Sequence, residues 1–407
     1  MSYDADGQTS SANLQSRQID EIIPREIARP RSIDEISSTL QNANTEKNAV
    51  SPWGSGTQVQ LGEKLEALDI VLETSALNKV IEYEPGDLTI TVQAGMKLSE
   101  LQNHLSKRGQ YLPLDPPYGT KSTIGGIIAK NSSGPKLIVN GLLRDLLLGL
   151  RFVLPNGIIA KTGGKVVKNV SGYDMKKLFI GSLGTLCAIA EASLKVLPLP
   201  EQKKSLITSF HNTDNALKAA LKLTNSEMLP EVVELVAPNF RELSHCHEIP
   251  DKNVSLIVSF SGLSEDVERQ IIQFEDFCKK SECIGVSELQ GKAQSQALEA
   301  VQEFPALTVE GLSALAKSTG LVSKLPEIMK TIDATAQEFG LQYSYSAHAC
   351  TGLVHTWFFS DKQHEATKES LTRALERLRD FLHKLEGTMS VVSCPFWLKS
   401  KLPTLDI

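Results

Sequence analysis

Apolar residues follow two different rhythms along this 407-residue chain. Through residue 200 they come in short runs separated by glycine and proline; after it, strand-length and helix-length runs take turns. Ser32, with Glu35 three places on, makes a capping box, and Ile33, Ile36 and Leu40 give the helix that follows its buried stripe. Short strands are expected over 70–74, 79–83 and, with clean alternation, 88–93. Leu98, Leu101 and Leu105 share one face of a helix over 97–108 that Gly109 closes. Residues 145–154 and 157–161 read as a hairpin about Pro155-Asn156-Gly157, and 186–197 as a long strand stopped by Pro198-Leu199-Pro200. Beyond that boundary, strand-like runs at 206–210, 232–236, 254–260, 341–346, 353–359 and 388–392 alternate with helical runs at 213–223, 265–278, 321–339 and 362–385. Pairs of helices over one antiparallel sheet predict a split βαβ arrangement, in one copy or two.

Three glycine-bearing stretches interrupt the first rhythm. Ser51-Pro52-Trp53-Gly54-Ser55-Gly56-Thr57 has Val59 where a Rossmann fingerprint needs its third glycine, and no Gly-Lys-Ser/Thr follows, so it is not a P-loop. What remains is a plain turn or a run of N–H groups able to cup an anion. The second stretch, 112–135, holds Pro113, Pro116 and Pro117 and then opens a short helix through Thr123-Ile124-Gly125-Gly126. Adjacent glycines at a helix mouth let backbone N–H groups approach an anion; a Pro/Gly turn before a buried helix reads equally well. The third runs from Lys168-Asn169-Val170-Ser171-Gly172-Tyr173-Asp174 into Gly181-Ser182-Leu183-Gly184-Thr185-Leu186.

Together with Arg144-Asp145, these stretches resemble the FAD-binding domain of the vanillyl-alcohol oxidase/p-cresol methylhydroxylase flavoproteins, and within that family the smaller FAD-binding subunit of bacterial glycolate oxidase. The likeness covers residues 22–200 and continues loosely beyond them. It implies an α+β chain: a disordered tail over 1–21, a two-subdomain FAD-binding domain of the p-cresol methylhydroxylase (PCMH) type over 22–200, and a ferredoxin-like cap or subunit-contact domain over 201–407. It implies FAD held by Pro52, Trp53, Gly54, Ser55, Gly56 and Thr57 of the first stretch. From the second it implies Asp115, Pro116, Thr123, Ile124, Gly125, Gly126, Ala129, Ser132 and Gly134. The third would add Gly172, Tyr173, Asp174, Gly184 and Ile189, the last meeting the adenine through its backbone, with Lys168 and Arg144 as candidate counter-charges. Many relatives carry a His or Cys in the first loop; this one has neither, so the FAD is expected to be non-covalent. Cys187 reads as a small buried thiol.

His348-Ala349-Cys350-Thr351-Gly352-Leu353-Val354-His355 resembles the metal-binding motif of the larger, catalytic type of FAD-linked hydroxyacid dehydrogenases, where two histidines and a later Glu-His-Gly hold a divalent ion. Here Thr351 and Leu353 replace the motif's Asp and Asn, and Val391-Val392-Ser393 fall where Glu-His-Gly is expected. Two imidazoles without a carboxylate make an incomplete site, so no metal is expected, and His348 is the nearest candidate for a catalytic base. The resemblance implies a subunit that takes part in oxidising a small 2-hydroxy acid (glycolate to glyoxylate), beside a catalytic flavoprotein and an iron–sulfur partner that receives the electrons. A chiefly structural accessory subunit, and an independent FAD oxidase of another alcohol or lactone, are the alternatives.

The remaining composition adds exclusions. A net charge of −6 without a concentrated basic face argues against nucleic acid. Six cysteines with no CxxC spacing read as reduced thiols, which with the absence of an apolar leader predicts a cytoplasmic protein. No apolar run reaches the ~18 residues of a membrane span, so contact with the inner face of a membrane would come through partner subunits.

Overall fold

The computed structural model describes residues 11–136, 141–164 and 174–406. The chain forms two compact units, one of Met1–Gln60, Lys64–Gly134 and Gly141–Leu199, the other of Leu61–Glu63, Pro135–Asn140 and Pro200–Ile407.

In the first unit, β1 (Glu26–Ala28), β2 (Val50–Trp53) and β3 (Ile70–Glu73) make a parallel sheet of order β1-β3-β2. The predicted helix precedes β2 as Ile33–Glu46, capped by Ser32 Oγ accepting from Glu35 N at 3.1 Å. The Glu35 carboxylate returns to Arg31 N at 2.8 Å, one residue earlier than the usual box. Ile36 and Leu40 pack that helix on Leu72, Val153 and Ala188. Next come β4 (Val80–Glu84), β5 (Thr89–Gln93), β6 (Gln110–Tyr111), β7 (Leu147–Val153), β8 (Ile159–Gly163), β9 (Ala188–Lys195) and β10 (Leu197–Pro198). Five of these form an antiparallel sheet of order β4-β5-β9-β7-β8, while β10 pairs with β6. The helices Leu98–Ser106 and Ile124–Lys130 bury Leu101, Leu105, Ile127 and Ile128 with Val92, Phe152 and Ile189 of that sheet.

The second unit is one antiparallel sheet of eight strands, β11 (Gln202–Phe210), β12 (Val232–Val236), β13 (Val254–Gly262), β14 (Gly285–Leu289), β15 (Leu312–Thr319), β16 (Gln342–His348), β17 (Leu353–Ser360) and β18 (Thr388–Ser393). Its order, β14-β11-β13-β12-β16-β17-β15-β18, is two split βαβ copies joined through β12 and β16. The expected ferredoxin-like arrangement is therefore present twice. Helices Thr213–Thr224, Ser264–Lys279, Leu325–Phe339 and Glu365–Lys384 bury Leu217, Phe274, Ile328 and Leu375 against one face. On the opposite face, Phe240, Val301, Phe304 and Trp357 make a smaller cluster.

Sequence periodicity missed β14, β15 and the helix Gly291–Glu303. β14 lies at the sheet edge with three of its five residues exposed, so it carries no apolar alternation. β15 interleaves serines and Lys317 with alanines, too little hydrophobic contrast to stand out.

Candidate functional site

In the first unit the three glycine stretches, far apart in sequence, come together. A Cβ at Gly54 would overlap the Thr123 hydroxyl, and one at Gly184 would stand 3.4 Å from the Pro52 ring. Leu183 N donates to Ala129 O at 2.8 Å, and Gly181 N to Ile128 O at 3.1 Å. First, second and third stretches thus touch one another directly.

The second stretch differs from expectation in how it uses its donors. Thr123 caps the helix Ile124–Lys130, its Oγ1 accepting from Gly126 N at 3.2 Å. Ile124 N donates to Met96 O at 2.9 Å and Gly125 N to Ala94 O at 2.7 Å. The N–H groups at this helix mouth are therefore bonded within the protein and do not await an anion. Gly125 and Gly134 are glycines for packing: a Cβ at Gly125 would lie 2.9 Å from Ala94 Cβ, and one at Gly134 would overlap the Asp115 carbonyl. Gly126 is otherwise. It is exposed, and a Cβ there meets only Thr123 Oγ1 at 3.1 Å, so packing alone does not demand glycine.

The first loop supplies what the helix mouth does not. The N–H groups of Gly54, Ser55, Gly56 and Thr57 find no acceptor among the described residues. Gly56, at φ 74°, folds the loop back on the buried Trp53 ring, where a Cβ would stand 2.7 Å from Cε2. Two buried polar atoms, Gln58 Oε1 and Ser182 Oγ, also lack partners among the described residues. Unbonded N–H groups, a bare glycine and orphaned polar atoms where the stretches meet fit a polar, anionic ligand such as the diphosphate of FAD.

The other predicted residues fall as follows. Asp115, Pro116 and Ser132 are buried, and Ala129 is half-buried. Ile189 lies in β9 opposite Phe152, beside an irregular register that leaves Ala190 O to accept Ala94 N at 2.8 Å. Asp174 is exposed and paired with Lys176 and Lys177, each at 3.6 Å. Arg144 is exposed beside Asp145. Gly172, Tyr173, Lys168 and Asn169 lie outside the described residues. Burial pushes the Cys187 thiol up to about 12, as suits a packed side chain.

The second unit holds a separate polar group on the sheet face opposite the helices Thr213–Thr224, Ser264–Lys279, Leu325–Phe339 and Glu365–Lys384. Strand register places Glu234 beside His348, Ser346 beside His355, His355 beside Lys317 and Lys317 beside Ser390. In-register neighbours project to the same side of a sheet. That side carries Val236 and Trp357, which belong to the smaller cluster. His348 Nδ1 is 2.7 Å from Glu234 Oε1, with both side chains buried. Ser346 Oγ donates to the other oxygen, Glu234 Oε2, at 2.8 Å. The rings of His348 and His355 lie 6.4 Å apart at 63°. Desolvation of the half-buried Lys317 pulls its ammonium below the ordinary lysine range, and no carboxylate among the described residues pairs with it.

Sequence reasoning found His348 and missed Glu234 and Lys317. The carboxylate absent from the His348–His355 motif is supplied by another strand, more than a hundred residues earlier in the chain. One signal was available: Glu234 is a lone acid between Val232-Val233 and Leu235-Val236, an apolar strand with no reason to carry a charge. Among the described residues no group of three metal-binding side chains assembles.

Comparison with known proteins follows this division. Residues 24–163 match the family described as FAD binding domain, and residues 199–391 the C-terminal domain of FAD linked oxidases. The chain is 30% identical over 381 residues to the glycolate oxidase subunit GlcD of Bacillus subtilis, spanning 90% of this chain and 80% of that one. To the mitochondrial D-lactate dehydrogenase [cytochrome] of Arabidopsis thaliana it is 26% identical over 372 residues, 88% of this chain and 64% of that one. The crystal structure of p-cresol methylhydroxylase with substrate bound matches with a TM-score of 0.74 over 91% of this chain and 81% of that one. At 14% identity that match speaks for the fold alone.

Proposed function

The chain belongs to the FAD-linked oxidase family and is an FAD-dependent oxidoreductase; from that premise we propose that it oxidises a small 2-hydroxy acid as the FAD-binding subunit of a glycolate-oxidising type of complex. The observation that carries the substrate class is Lys317, a half-buried lysine with no carboxylate paired to it among the described residues, on the same sheet face as the Glu234–His348 pair. A buried ammonium is stabilised by a carboxylate that desolvates with it. The substrate's carboxylate fills that role. GlcD and the plant D-lactate dehydrogenase are both named for 2-hydroxy acids or their oxidation, which agrees with this reading.

Residues of the three converging stretches would hold a non-covalent FAD. Gly54–Thr57 would offer their N–H groups to its diphosphate, and Gly126 would leave room for it. FAD held by this chain would supply the two-electron acceptor for oxidising such a substrate. The protein's own contribution is to hold and deprotonate. Lys317 fixes the carboxylate, which limits how the C2 hydroxyl can be presented. His348 takes the hydroxyl proton at Nε2, because Nδ1 is turned to Glu234. The Glu234 carboxylate, held by Ser346, stabilises the imidazolium that results. The product is the 2-oxo acid, with one proton left on His348.

In this proposal the chain stands beside a catalytic flavoprotein and an iron–sulfur partner receives the electrons; the described residues include no helix long and apolar enough to cross a membrane. We assign residues 22–200 to FAD and 201–407 to substrate or subunit contact, and place the protein in the cytoplasm. The eroded His348–His355 motif keeps a second reading in view, a mainly structural accessory subunit. Steady-state oxidation of glycolate and D-lactate by the purified chain, with an artificial electron acceptor, tests the choice. Turnover supports the first reading; its absence, restored by co-expressed partners, supports the second.

A further inference from the structure

The segment over 11–21, read from sequence as part of a disordered tail over 1–21, is ordered, with a helix over Ser11–Gln15 and Ile19 buried, and it reaches the residue from which the first glycine loop springs. Arg17 lies over the Trp53 ring, its guanidinium carbon 5.2 Å from the centroid. On the ring's account with the loop, Gly56 approaches so closely that a Cβ would stand 3.0 Å from Nε1. Arg17 is itself fixed. Its Nε and Nη2 donate to Glu73 Oε2 at 3.2 and 3.1 Å, and Glu73 is 8% exposed. Arg29 Nε reaches the same oxygen at 3.3 Å, and Ser75 Oγ donates to Oε1 at 2.9 Å. Glu73 is the register partner of Trp53 across β2 and β3, so the arginine bridges the two strand ends that frame the loop. Ile19 buries beside Trp53 with Leu68 and Val71, and Asp20 Oδ2 accepts Leu65 N at 3.0 Å.

We propose that Arg17 is a positioning residue for the cofactor: by stacking on Trp53 and pairing with Glu73 it holds the loop Gly54–Thr57 with its N–H groups already arranged for the diphosphate. The inference rests on the reading that this loop takes the FAD diphosphate. A loop held in its binding shape avoids the ordering cost of assembling it around the ligand. A part-buried cation–ring contact of this kind corresponds to about 2- to 30-fold in affinity.

The test uses the full chain stripped of FAD, with FAD and ADP as probes, since ADP keeps the diphosphate and lacks the flavin. Arg17→Ala is expected to weaken both by a similar factor within that range. Arg17→Lys, which keeps the charge against Glu73 and loses the flat stack, falls between it and the wild type. Arg25→Ala, at an exposed arginine paired with Asp69, binds both normally. Wild-type FAD and ADP affinity in Arg17→Ala overturns the proposal, as does weakened FAD with unchanged ADP. Should Arg17→Ala not fold, wild-type affinity in Arg17→Lys overturns it by itself. Wild-type chain that takes up neither probe is a separate result, which removes the cofactor assignment of the loop.

Discussion

The two units carry their chemistry in opposite materials. The cofactor lobe works with backbone: N–H groups at Gly54–Thr57 that find no acceptor among the described residues, a bare Gly126, and glycines at 54 and 184 where the three stretches meet. The sheet of the second unit works with side chains, the buried Glu234 and His348 and the half-buried Lys317, spread over three strands. Backbone donors are laid down once the loops close, and they suit an invariant ligand such as a diphosphate. Buried ionisable side chains are costly to keep and respond to what binds. The first material suits a resident cofactor and the second a substrate that comes and goes.

That contrast predicts different failures. The largest effect is expected at Gly134. Its missing Cβ is replaced by the Asp115 carbonyl, so Gly134→Ala should cost ~3 kcal/mol or more and give little soluble protein, read from yield and melting temperature. Gly126→Val should separate stability from cofactor: a melting temperature near that of wild-type apoprotein, with flavin content lost. Normal FAD content in folded Gly126→Val would take the second stretch out of the site.

Next comes the proton acceptor. His348→Ala should slow substrate oxidation by about 10²–10⁴-fold with FAD content unchanged. Glu234→Gln, which keeps shape and loses charge, should slow it by about tenfold and leave substrate affinity nearly intact. If Glu234→Gln weakened FAD binding instead, the two regions would not be functionally distinct.

Lys317 sharpens the comparison through pH. Its folded-state value is lowered by burial, so below the unfolded value the charge penalises the native state, and the penalty fades as pH rises. Lys317→Met should therefore be more stable than wild type at neutral pH, with the gap in melting temperature closing towards about pH 10.4. The same variant should bind 2-hydroxy acids at least ~30-fold more weakly. A stability gap that does not change with pH would mean that the lysine is not held as a buried cation. The smallest effect is expected at Cys187, where a thiol pushed up to about 12 should resist alkylation in the folded protein, and Cys187→Ala should keep its flavin.

How much of this was legible beforehand follows from the same contrast. Glycines mark a backbone site in sequence because no other residue does their work, so Gly54, Gly126 and Gly184 could be picked out singly. Which of them serve packing was not legible: Gly125 and Gly126 are adjacent and chemically identical, and only the Ala94 backbone on one side tells them apart. The duplicated sheet was readable from its helices, although β14 and β15 were hidden by exposure and by small polar residues. The Glu234–His348 pair was not readable, because it exists only once β12 pairs with β16. Arg17 was lost for a similar reason, sitting in a polar segment with no pattern and meeting Trp53 through the fold.

Rapid mixing of the purified chain with glycolate or D-lactate without oxygen tests the central claim most directly, following the visible absorbance of its oxidised flavin. The account predicts bleaching in the wild type, slowed by about 10²-fold or more in His348→Ala. It also predicts saturation at much higher substrate in Lys317→Met. A flavin that stays oxidised with every 2-hydroxy acid tried, or one that bleaches equally fast in His348→Ala, would contradict it.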